Sequence, residues 1–200
     1  MNLSRILREL GAVVYGHFVG TSGRHMSIYI NKDRLISFTK YTSKIGKLFA
    51  EKSEKLNIEV VVAPAIAGIA LSQWTVYYLS KLYKSEVLTV YTEKTLNNEQ
   101  VLKRGYDLLV RGKRVLIVED VATSGSSIKK VIRSVKKAGG DPISACVIVN
   151  RDPKFVNTKN IGIPLIYLVK IKVESYNKNS CPMCKSNIPI DTSLGHGNKI

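Results

Sequence analysis

Two adjacent carboxylates, Glu119 and Asp120, stand immediately before Val121, Ala122, Thr123, Ser124, Gly125, Ser126 and Ser127. A turn of small residues lets backbone N–H groups converge on an anion, and a helix starting there adds its partial positive end. The hydroxyls of Thr123, Ser124, Ser126 and Ser127 are further donors, and Gly125 permits close approach or a positive φ. Together these residue types make a cradle for a phosphate group. The paired acids would repel that phosphate, so they must address another part of the same ligand. Accepting hydrogen bonds from neighbouring sugar hydroxyls is the chemistry that suits them. The competing reading is an ordinary strand-to-helix turn with Ser124 or Ser126 as N-cap.

The elements around this turn support the cradle. Arg114–Val118 is an apolar, β-branched run that leads straight into the acids, and Ser126–Ala138 behind them has helical periodicity and stops at Gly139-Gly140. Similar strand signals lie at Glu59–Ala63, Glu86–Tyr91, Ser144–Val149 and Leu165–Val169, with helical patterns at Ile36–Leu56 and Ile69–Leu82. Continuous apolar runs without strict alternation mark strands covered on both faces. Strands alternating with helices predict an α/β fold, a mainly parallel twisted sheet flanked by helices, with ligands at the carboxyl ends of the strands. The polar stretch Thr92–Lys103 is expected as a mobile loop or an exposed hairpin, and the polar tail from Ser175 as an appendage with a frayed end.

The chain has 200 residues, 44% of them hydrophobic, enough for one domain with a sizeable core. No apolar run of the roughly 18 residues needed to span a membrane is present. The first ten residues lack the apolar stretch of a signal peptide, so a cytoplasmic location is expected. Lys and Arg outnumber Asp and Glu by 31 to 15, a net charge of +16. Such a balance favours anionic partners, nucleic acid or a polyphosphate substrate alike, and its scatter along the chain does not choose between them. No recognised nucleic-acid motif accompanies it.

Of the three cysteines, Cys146 lies in an apolar run and is expected to be buried and inert. Cys181 and Cys184 have metal-ligand spacing, but zinc needs about four ligands. His196 or a second pair pooled in a dimer would have to complete the set; a simple thiol pair or turn is the other reading. His17 and His25 read as packing or surface residues, and Trp74, Tyr77 and Tyr78 as core or subunit contact.

The string VLIVEDVATSGSS resembles the signature of type I phosphoribosyltransferases, which bind phosphoribosyl pyrophosphate (PRPP). The resemblance implies that Glu119 and Asp120 hold the ribose hydroxyls and that Val121 to Ser127 wrap the 5′-phosphate. Further stretches are similar to orotate phosphoribosyltransferases, in particular a short bacterial and archaeal form. They are Gly16-His17-Phe18, Thr21 to His25, Tyr29 to Asp33, Ala63 to Gly68, Tyr91 to Lys94, Leu102 to Tyr106, Asn150-Arg151-Asp152, Cys181 to Cys184 and Ile188 to Ile190.

That resemblance implies one phosphoribosyltransferase domain over 1–200, with 1–35 and 171–200 as hood and tail. It places Ala65, Ile66, Ala67 and Gly68 at the pyrophosphate, Arg151 and Thr123 at the base, and Lys94, Lys103 and Arg104 on a catalytic loop that neutralises the leaving group. It also implies Mg²⁺ as cofactor, PRPP and a nitrogenous base as partners, and a homodimer. Transfer of ribose 5-phosphate to orotate is the expected reaction. Thr21 and Ala67 stand where many orotate enzymes carry lysine, and the loop lacks their histidine. These departures motivate a purine phosphoribosyltransferase as the alternative. A non-catalytic PRPP-binding regulator that uses its basic surface on nucleic acid is the second alternative.

Overall fold

The computed structural model describes residues 2–20 and 22–194; Thr21 and His196 lie outside the described residues. In chain order the elements are α1 (Leu3–Glu9), β1 (Val13–Val19), β2 (His25–Ile30), α2 (Lys32–Ile36), α3 (Thr39–Ser53), β3 (Val60–Pro64), α4 (Ala67–Tyr83), β4 (Leu88–Lys94) and β5 (Gln100–Leu102). They continue with α5 (Tyr106–Val110), β6 (Arg114–Ala122), α6 (Ser126–Lys137), β7 (Asp141–Asn150), α7 (Thr158–Ile161), β8 (Leu165–Lys170), β9 (Ser175–Tyr176) and α8 (Pro182–Lys185). The chain divides into two compact units, 36–170 and 1–35 with 171–200.

Residues 36–170 carry the expected α/β architecture. Among the described residues their sheet has the order β5-β4-β3-β6-β7-β8, parallel throughout except for the antiparallel edge strand β5. The apolar runs explain why both faces are covered. Val60, Val62, Val115, Ile117, Ala145 and Val147 share a buried cluster with Ile128, Val131, Ile132 and Val135 of α6. Strand side chains alternate, so the intervening positions turn to the other face. There Ser53 of α3 lies 3.6 Å from Cys146, and Gly68 of α4 lies against Ala63. Helices α3 and α4 touch closely enough that a Cβ on Gly46 would sit 2.7 Å from the backbone of Trp74.

Two local features differ from the sequence expectations, and a third settles which of two expected forms a polar stretch takes. Strand β6 does not stop at Val118 but runs through both acids to Ala122, because β7 pairs with it as far as Ala122↔Asn150. The N-cap of α6 is Gly125 in the left-handed region (φ 71°), with no side-chain cap, rather than Ser124 or Ser126. The stretch Thr92–Lys103 is a hairpin: Thr92, Glu93 and Lys94 pair with Leu102, Val101 and Gln100.

In the unit formed by 1–35 and 171–200, β1 and β2 form an antiparallel hairpin, and β9 adds to β2 through His25↔Tyr176 and Met26↔Ser175. Its core is small, built from Leu3, Leu7, Phe18, Met26, Leu35 and Met183. Arg24 ties the tail by donating to the Ser175 carbonyl at 2.5 Å and to Asn177 Oδ1 at 2.9 Å. Among the described residues no helix is long and apolar enough to cross a membrane.

Candidate active site

Strand order places the site. From β3 the chain moves outward to β4, then returns to β6 on the other side of β3 and continues to β7 and β8. The switch point therefore lies between β3 and β6, and loops leaving those strands diverge to opposite faces. Crevices for ligands open at such points, at the carboxyl ends of the strands. The loop after β3 contains Ala65 and Ile66 and leads into Ala67 and Gly68 of α4; the loop after β6 contains Thr123, Ser124 and Gly125 and leads into α6. Arg151 directly follows β7. Residues predicted from three separate stretches thus meet at one edge of the sheet.

Glu119 and Asp120 lie near the carboxyl end of β6 and are only 7% and 5% exposed. Burying two neighbouring carboxylates is costly unless hydrogen bonds compensate them. Glu119 Oε1 accepts from the Asp120 amide at 3.2 Å, and Asp120 Oδ1 accepts from the Val121 amide at 2.5 Å. The strand thereby fixes both acids, while Thr123, Ser124 and Ser126 beyond it are exposed to an incoming ligand. Gly125 is demanded twice over: its φ is positive, and a Cβ there would lie 2.3 Å from Ile161 Cδ1. The first N–H groups of α6 have no intrahelical acceptors and point towards this loop, as a phosphate site requires.

Arg151 is held at the rim. Its amide donates to Ala122 O at 2.9 Å, and Nη1 donates to Thr123 Oγ1 at 3.3 Å. Burial lowers its pKa from the usual arginine value, yet a guanidinium keeps its charge at any physiological pH. A partly desolvated fork of this kind matches a planar carboxylate. The β3 loop is anchored by Ala65 N donating to Thr92 O at 2.8 Å, and the Ala65–Ile66 peptide is cis. Helix α4 then opens at Ile66, which is 85% exposed, again with no side-chain cap.

The three loop cations are not equivalent. Lys103 and Arg104 both bind Glu93, at 3.3 Å and 2.9 Å, and these contacts hold the Glu93 carboxyl below its ordinary pKa, the Lys103 hydrogen bond most of all. Lys94 ends β4 on the same hairpin. The hairpin itself leans on α6: Lys130 Nζ donates to Asn98 O, Arg133 pairs with Glu99 at 3.0 Å, and the Leu102 amide donates to Ser134 Oγ at 3.2 Å. Glu93 was not singled out in the sequence. Its only local signal is its place beside Lys94 on a polar segment, and its partners lie ten and eleven residues away. Cys181 and Cys184 belong to the other unit, next to His17 and His25.

A model of the phosphoribosyl transferase domain matches residues 37–162. The chain is 34% identical to an orotate phosphoribosyltransferase of Caldanaerobacter subterraneus subsp. tengcongensis over 185 residues, 92% of each chain. It is 33% identical to that of Thermotoga maritima over 98% of this chain and 100% of that one. Among solved structures, the orotate phosphoribosyltransferase of Aeropyrum pernix superposes with a TM-score of 0.67 at 25% identity, covering 84% of this chain and 93% of that one. The Mycobacterium tuberculosis enzyme in complex with PRPP shares the fold at a TM-score of 0.60 and 17% identity, over 84% of this chain and 87% of that one.

Proposed function

This chain belongs to the orotate phosphoribosyltransferase family, and on that premise we propose that it transfers ribose 5-phosphate from PRPP to orotate, yielding orotidine 5′-phosphate and pyrophosphate. The observation that carries the reading is the pair of buried, strand-fixed acids, Glu119 and Asp120, leading into an exposed hydroxyl loop that opens α6. The acids accept from the ribose diol, Val121 to Ser127 surround the 5′-phosphate, and Ala65 to Gly68 address the pyrophosphate. Arg151 with Thr123 receives the orotate carboxylate. Adenine has no carboxylate for Arg151, which favours orotate over the purine alternative.

Departure of pyrophosphate leaves positive charge on the sugar ring, so catalysis rests on positioning and electrostatics rather than on a nucleophilic side chain. Lys94, Lys103 and Arg104 stabilise the leaving group. Mg²⁺ suits the hard oxygen donors at this site: Glu119 and Asp120 would help hold it, and it would neutralise the pyrophosphate charge. The reading also carries a homodimer, a cytoplasmic location and the role of 1–35 and 171–200 as an appendage to one catalytic domain.

Pyrophosphate release from PRPP and Mg²⁺ with orotate, uracil, adenine, guanine and hypoxanthine tests it. Turnover with orotate alone is the expected result. Turnover with a purine, or steep salt-dependent nucleic-acid binding without turnover, would replace it with one of the alternatives. By calorimetry, Glu119→Ala combined with Asp120→Ala should abolish PRPP binding; unchanged affinity removes the assignment of the acids.

A further inference from the structure

Four side chains remote from one another in sequence converge in the unit formed by 1–35 and 171–200. His17 and His25 lie on the two strands of the β1–β2 hairpin, and Cys181 and Cys184 flank the start of α8. Their ligand atoms all lie within 4.8 Å of one another, and His17, His25 and Cys181 are at most 3% exposed. Nothing in the transfer reaction uses them.

The chemistry of the cluster is informative. His17 Nδ1 lies 2.7 Å from Ile188 O, and a carbonyl can only accept, so the proton sits on Nδ1 and Nε2 presents a lone pair. That one lone pair faces His25 Nδ1 at 2.7 Å, Cys181 Sγ at 3.6 Å and Cys184 Sγ at 3.7 Å. Cys184 Sγ is also 3.4 Å from His25 Nδ1. A single lone pair cannot accept from three donors, but one cation among the four atoms satisfies all of them. Tetrahedral zinc, with Zn–S of about 2.3 Å and Zn–N of about 2.0–2.1 Å, sets ligand N···S separations near 3.6 Å. The three observed N···S distances, 3.4–3.7 Å, fall at that edge length. The ring nitrogens, 2.7 Å apart, stand closer than the corresponding N···N edge and must separate to about 3.4 Å to take the ion. The hydrogen bond from His17 Nδ1 to a backbone carbonyl is the outer support that metal-bound imidazoles ordinarily have.

We propose that His17, His25, Cys181 and Cys184 form a closed, structural zinc site that fastens the tail to the N-terminal hairpin. Four protein ligands leave no open position, so the ion holds structure rather than performing chemistry. Two thiolates and two neutral imidazoles select zinc over hard cations. The neighbouring core is small, and small units of this kind depend on such staples.

Metal analysis of the untagged full-length chain should find one zinc per chain, released when the thiols are titrated with a mercurial. Replacement by Co²⁺ should give the intense visible bands of a tetrahedral site with a thiolate-to-metal charge-transfer band. Cys184→Ser and His25→Ala should each lose the metal and lower the midpoint of thermal unfolding, while His196→Ala keeps the metal. The Co²⁺ spectrum of the unaltered protein decides the matter even if a variant fails to fold. One zinc per two chains, a Cys181–Cys184 disulfide in protein purified under reducing conditions, weak octahedral Co²⁺ bands, or full metal content in His25→Ala would each overturn the assignment.

Discussion

At the scale of single residues the site rests on charges held in place before a ligand arrives. Arg151 is oriented by its contact with Thr123 and partly desolvated. Removing it in Arg151→Ala should therefore lower kcat/KM for orotate by about tenfold to a hundredfold, the range for hydrogen bonds to a charged group, while PRPP affinity measured by calorimetry stays the same. A parallel loss of PRPP binding would mean that Arg151 serves the phosphate instead. Cys146 lies at the opposite extreme. Burial pushes its thiol up to about 12, and it faces Ser53 inside the sheet–helix interface. It should not react with a thiol reagent in the native protein at neutral pH and should react only on unfolding. The inert role of Cys146 could be read from its apolar neighbours. The partnership of His17 and His25 with Cys181 and Cys184 could not, since it joins segments more than 150 residues apart.

At the scale of elements, what was legible is what is local. The β6–turn–α6 unit announces itself because an apolar run, two acids and a small-residue turn are contiguous. The extension of β6 through Glu119 and Asp120 was hidden, because charges normally end an apolar strand and only the pairing with β7 keeps them in the sheet. The β1–β2 hairpin was hidden for a related reason: glycine, histidine and arginine dilute its alternation, and its third strand comes from the tail. Two predictions belong here. Gly125→Ala imposes a Cβ on a left-handed backbone and against Ile161, so it should cost roughly 1–3 kcal/mol and weaken PRPP binding more than it weakens orotate binding. Glu59 joins the start of β3 to the start of β6 by accepting from Lys113 at 2.8 Å and from the Arg114 amide at 3.0 Å. The Lys113 hydrogen bond, more than any other contact, lowers its pKa below the unfolded value. Its contribution is therefore present above the ordinary carboxylate range and lost as the pH falls through the folded value. Urea titrations of wild type and Glu59→Gln should differ by about 1 kcal/mol or less at neutral pH, as for an exposed pair, and the difference should close on acidification.

At the scale of the whole molecule, a net charge of +16 surrounds the protein with a positive potential that attracts anions. PRPP carries several negative charges, so its KM should rise with added salt far more than that of orotate, as screening shortens the reach of the field. Equal salt dependence for both substrates would show that the charge is a solubility feature. The division into units has a separate consequence. Residues 36–170 are contiguous, whereas the other unit is assembled from both ends of the chain. On the ribosome the sheet of β3 to β8 can therefore close while the hairpin of β1 and β2 still waits, unpaired along one edge, for β9 and the two cysteines to be synthesised. Pulse proteolysis of nascent chains stalled behind an added C-terminal spacer should find residues 13–30 cut readily until Cys181 and Cys184 have cleared the ribosomal exit, and protected afterwards.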